Sequence, residues 1–79
     1  MITGSQIRAA RAIIKITAQQ LAELAEVGLM TVRRAESFDD TVPNINKPNL
    51  SAIQTALESK GVIFISENGE GAGVRLRKS

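Results

Sequence analysis

Apolar residues recur along this chain at two different spacings, and the change of spacing divides it. From Ile7 to Leu57 they fall at helical intervals. Ile7, Ala10 and Ile14 share one face, Arg8, Arg11 and Lys15 are interleaved, and Ala9 and Ala12 allow close packing, so a helix is predicted over about Thr3 to Lys15. Thr3 with Gln6 and Thr17 with Gln20 have the spacing of capping boxes, which mark two helix starts. After Thr17, Leu21, Ala22, Leu24 and Ala25 bury one face of a two-turn helix. The small Ala22 and Ala25 permit a steep crossing. A further short helix is predicted from Gly28 to Glu36, with Val32 and Ala35 turned inward at i, i+3.

Ser37 to Lys47 (SFDDTVPNINK) is dense in Asp, Asn, Pro and Thr and reads as a loop, with Phe38, Val42 and Ile45 as anchors. Pro48 suits a first helical turn capped from Asn46 or Lys47. Leu50, Ile53, Ala56 and Leu57 form the stripe of a fourth helix, and Gly61 fits its left-handed end. The pattern then turns to strand. Val62–Ile65 is β-branched and aromatic, and Val74–Arg77 alternates. Between them lies a turn-rich segment containing Asn68-Gly69. A lone ribbon of two strands is marginal in water, so it must pack on the helices or pair with another chain. The expected architecture is mainly α: about four helices with a short C-terminal β-hairpin. Residues 1–61 form the bundle and 62–79 a tail belonging to the same single domain.

Composition narrows the chemistry. The chain has 79 residues, 43% hydrophobic and 23% charged, which suits one soluble domain with a modest core. Aromatics are 3%, and His, Cys, Trp and Tyr are absent, so the core is aliphatic. Imidazole and thiol chemistry, disulfides and the usual zinc ligands are excluded, and no nucleophile–base set can be assembled. Neither an enzyme, a metal nor a cofactor is expected. Gly69, Gly71 and Gly73 do not open a helix, as a phosphate-binding loop requires. No apolar run approaches the roughly 20 residues that span a bilayer. The N-terminus also lacks the segments of a secretory signal, so a cytoplasmic protein is expected. The net charge of +2 is mildly basic and decides nothing by itself.

Thr17 to Glu36 has the spacing of a DNA-reading helix-turn-helix: short helix, tight turn, short helix. The residues from Ile16 to Ala25, then Val27, then Thr31 to Glu36, resemble the phage-repressor-like (XRE) helix-turn-helix family. The resemblance runs from about Ile7 to Leu57, and the tail is similar to that of small stand-alone bacterial regulators. It implies a lambda-repressor-like fold and a transcriptional regulator, repressor or activator, of a bacterial or phage operator. It also implies an ion pair between Arg11 of the first helix and Glu36, which closes the recognition helix. Three positions depart from the family pattern. Glu26 stands where a turn glycine is usual and should need either positive φ or an altered turn, one rebuilt around Gly28. Gly28 replaces a Ser or Thr cap, and Ala18 replaces a phosphate-binding Gln.

With the second motif helix in the major groove, Gly28, Leu29, Met30, Thr31, Arg33 and Arg34 are the expected base contacts. Arg34 is the candidate for a bidentate contact to guanine. Leu29 and Met30 can pack on thymine methyls, the alternatives being core burial or a protein interface. Outside this motif, Arg33 and Arg34 would read as a solvated face. Thr17, Gln19, Asn44, Asn46 and Lys47 are expected on phosphates. Arg8 and Lys15 read as solvated or as added phosphate charge, and Asp39 and Asp40 should point away. One such module reads few base pairs, so a homodimer on a palindromic site in double-stranded DNA is expected. Its surface is either the Leu50–Leu57 helix or a strand of the tail. Arg75, Arg77 and Lys78 read either as a protected edge strand or as a phosphate-binding arm. Two other functions stay open: a protein-interaction module such as an antiactivator, and an antitoxin with a protein partner held by the tail.

Overall fold

A computed structural model describes residues 1–78 and contains four helices followed by two strands: α1 (Gly4–Ile14), α2 (Ala18–Ala25), α3 (Leu29–Glu36), α4 (Lys47–Ser59), β1 (Val62–Ile65) and β2 (Gly73–Leu76). The helix starts follow from local chemistry. Thr3 Oγ1 accepts the Gln6 N–H at 3.2 Å while Gln6 Oε1 accepts the Thr3 N–H at 2.9 Å. Thr17 and Gln20 repeat the exchange at 3.0 and 2.8 Å. Each pair satisfies amides that a helix start otherwise leaves bare. α4 is capped by Asn46, whose side chain accepts the Asn49 N–H, and carries Pro48 in its first turn.

The helices close around an aliphatic core of Ile7, Leu21, Val32, Leu50, Ile53, Leu57 and Val62, all essentially without exposure. Ala10, Ala22 and Ala35 are buried among them, where their small side chains let the helix axes approach. No helix among the described residues is long and apolar enough to cross a membrane.

The start of α1 abuts the end of α3. A Cβ on Gly4 would stand 2.7 Å from the carbonyl oxygens of both Ala35 and Glu36. The first α1 amides are spent on the loop after α3: Ser5 N–H donates to Asp39 O at 2.8 Å and Gly4 N–H to Thr41 O at 3.3 Å. In that loop the buried anchor is Pro43, with Phe38 and Ile45 half-buried. Val42 is exposed, contrary to its expected role, because its neighbour Pro43 takes the inward position.

β1 and β2 pair antiparallel with Val62 opposite Leu76 and Ile65 opposite Gly73. The connection is longer than the two-residue turn that Asn68-Gly69 suggests. Glu67 holds it, its carboxylate accepting the N–H groups of Gly69 at 2.6 Å and Gly71 at 2.8 Å. These bonds pull the Glu67 carboxyl below its ordinary pKa. The hairpin packs on α1 and α4. Buried Gln6 fastens it there, its amide donating to Ile65 O at 3.1 Å and Gly73 O at 2.9 Å.

Candidate nucleic-acid interface

The turn between α2 and α3 is built on Glu26 itself, which sits in the left-handed region at φ 58°. Its N–H closes onto Ala22 O and Glu23 O, and Val27 N–H follows onto Ala22 O at 3.0 Å. Gly28, at φ −72°, is an ordinary extended cap that contributes no side-chain bond. Gly28, two residues on, is therefore not what relieves the turn.

From that start α3 takes a register with two opposite faces. Val32, Ala35 and Glu36 are buried, whereas Gly28, Met30, Arg33 and Arg34 are exposed and Thr31 is half-buried. Met30 is 71% exposed, an unusual position for a large apolar side chain. Leu29, expected on the outer side, is half-buried and packs against the core. The spacing explains this, because Leu29 lies three residues before Val32 and so joins the inward stripe.

The inner face of α3 is tied to α1 by two arginines. Arg11 Nε meets Glu36 Oε2 at 2.8 Å and Nη2 meets Oε1 at 3.0 Å, a bidentate pair. Arg11 Nη1 adds a 3.3 Å bond to Ile16 O. The bond to Glu36 raises the Arg11 pKa above its ordinary value, although burial opposes the shift. Arg8 is exposed, but its guanidinium is engaged within the molecule. It donates to Glu36 O, the last carbonyl of α3, and pairs with Asp39 Oδ1 at 2.9 Å. A cation at this end also complements the helix dipole. Asp40 is drawn to the same corner, where its carboxylate accepts the Ser5 hydroxyl at 3.1 Å.

The outer face has no such commitments. The ion pairs among the described residues are Arg8–Asp39 and Arg11–Glu36, so Arg33, Arg34 and Lys47 carry unneutralised charge. Thr31 and Arg34 line an open polar cleft with Asn44, Ile45, Asn46 and Asn49. The loop thus brings two of the expected phosphate contacts beside two of the expected base contacts. Asn49 escaped the sequence reading; its only signal is the three-residue interval from Asn46, whose side chain caps its amide. At the start of α2, the Thr17 oxygen accepts from Gln20 and the Gln19 amide donates to Glu23 Oε2 at 3.1 Å. Both groups are therefore partly engaged. Lys47 is exposed in the first turn of α4.

No protein-family model matches the chain, and no curated protein matches it either. Function is therefore read from the geometry of this site.

Proposed function

We propose that the protein is a small transcriptional regulator of the phage-repressor-like kind, binding double-stranded DNA sequence-specifically from the cytoplasm with α3 in the major groove. The observation that carries the proposal is the outer face of α3. Two arginines without carboxylate partners and a solvent-facing Met30 stand on a short helix whose opposite face is clamped. A planar guanidinium held free of internal partners suits the O6 and N7 atoms of guanine, and a good bidentate contact discriminates bases by about 1–3 kcal/mol. Arg34, beside the Asn44–Asn46–Asn49 cleft, takes that role. Arg33 reads a neighbouring base or a phosphate, and Met30 packs on a thymine methyl.

Asn44, Asn46, Asn49 and Lys47 then face the sugar–phosphate backbone, where contacts set position more than sequence. Arg11 neutralises the one carboxylate of α3, removing a charge that would repel phosphates. Thr17 and Gln19 contribute through their remaining hydrogen-bonding capacity. Selection of bound sequences from random double-stranded DNA tests the proposal. The expected product is a palindrome with half-sites about one helical turn apart. Absence of any enriched sequence at low salt overturns it, and would favour a protein partner docking on exposed Met30.

A further inference from the structure

The outer edge of β2 is unpaired and flanked by opposite charges, and we infer that it joins a second copy of this chain, β2 against β2, in one antiparallel four-stranded sheet. The backbone pattern defines that edge. Arg77 N–H donates to Gly61 O at 2.6 Å, which extends the β1–β2 ladder by one rung. Residues alternate along an antiparallel ladder, so Arg75 and Gly73 bond inward to β1 while Val74 and Leu76 turn their N–H and C=O groups outward. Leu76 is 51% exposed, and Arg75, Arg77 and Lys78 are exposed with it. An unpaired edge is a template for another strand, and the basic side chains that blunt this one admit a partner that matches their charge.

Charge favours a second copy as the occupant. The approach to β2 is acidic, through Glu67 and Glu70, and its exit is basic, through Arg75, Arg77 and Lys78. Antiparallel self-pairing sets the basic exit of each copy beside the acidic approach of the other. The cleft next to the start of β2 is open and lined by Ser5, Ala9, Asp40, Glu67 and Val74, so the small Ala9 leaves room for the incoming chain.

Like charges exclude two registers. A twofold axis at Arg75 would place the two copies of Arg75 opposite each other, and one at Leu76 would oppose Arg75 to Arg77. An axis at Val74 instead sets Arg75 opposite Gly73 and Leu76 opposite Ala72, and brings Lys78 toward the partner's acidic connection that carries Glu70. The hairpin lies on α1 and α4, away from α2 and α3, so the sheet leaves the outer face of α3 open in both copies.

Sedimentation velocity of the purified chain without DNA tests this interface and does not depend on the DNA reading. Its failure would leave the α3 face untouched, and failure of DNA selection would leave the dimer untouched. The wild-type chain is expected to dimerise in the micromolar range, more weakly as salt rises. Leu76→Pro removes an N–H that the hairpin does not use, so it should weaken association at least roughly tenfold through two lost bonds per dimer. Glu70→Lys and Lys78→Glu should each weaken the dimer, and the double variant should recover it. These two changes lie on exposed residues and keep the test decisive if Leu76→Pro perturbs the fold. A monomeric wild-type chain overturns the inference, as does a dimer that the charge exchange leaves unchanged.

Discussion

The two faces of α3 differ sharply in how far their polar groups are engaged. Inward, Glu36 takes two bonds from Arg11, its backbone carbonyl takes another from Arg8, and Gly4 presses the first turn of α1 against the last turn of α3. Outward, Arg33 and Arg34 have no ion-pair partner among the described residues and Met30 stands in solvent. A helix of eight residues cannot hold its own shape in water. The clamped face therefore holds the helix in place, and the free face carries side chains with no ion-pair partner among the described residues. Substitutions on the two faces should separate: inner ones should change stability, outer ones binding.

The largest break of that contrast is Glu36→Ala. It leaves Arg11 partly buried beside an empty site, and removal of one partner from such a pair costs about 3–5 kcal/mol. Thermal denaturation should show a fall of more than roughly 10 °C, at several degrees per kcal/mol for a domain of this size. Glu23→Ala, on the exposed side of α2, should leave the midpoint almost unmoved. Equal midpoints for the two variants would remove the clamp from the account.

Gly4→Ala comes next. The added Cβ meets backbone oxygens, which cannot rotate away as a side chain can, so α1 must shift against α3. Overpacking of this kind costs about 1–3 kcal/mol, readable from urea denaturation midpoints. An unchanged midpoint would mean that the α1–α3 junction is looser than its geometry. The smallest effect is expected in the opposite direction. Glu26→Gly relieves a left-handed residue at φ 58° and should stabilise by up to about 1 kcal/mol, since the greater freedom of glycine when unfolded offsets part of the gain. A loss of stability would show that the Glu26 side chain supports the turn.

The four helices and the hairpin were legible in the sequence because their signals are local. Thr3, Gln6, Thr17 and Gln20 act within one turn, and the strand pattern of Val62–Ile65 spans four residues. The strained turn at Glu26 was legible only through the family resemblance, which marks that position for glycine; the structure places Glu26 itself at φ 58°. Features that depend on how distant segments meet were not legible. Arg8 resembles any exposed helix cation until the loop after α3 folds back and brings Asp39 to it. Gly4 reads as a neutral first-turn residue until the end of α3 comes to rest against it. Leu29 was misplaced because a residue at the mouth of a helix can follow either the cap or the inward stripe. The three-residue step to Val32 shows that packing prevails. Likewise Pro43, not Val42, is the buried residue of the loop, since neighbouring side chains in an extended segment turn to opposite sides and only one can face inward.

The division between a clamped and a reading face rests most directly on Arg34. Its exchange for alanine should be measured by titrating labelled duplex, carrying the selected sequence, with wild-type protein and with Arg34→Ala, alongside their melting temperatures. The account predicts matching melting temperatures and an affinity loss of roughly tenfold or more, corresponding to about 1–3 kcal/mol, with discrimination relaxed at one base pair of each half-site. An unchanged affinity and specificity in a variant that melts with the wild type would contradict it.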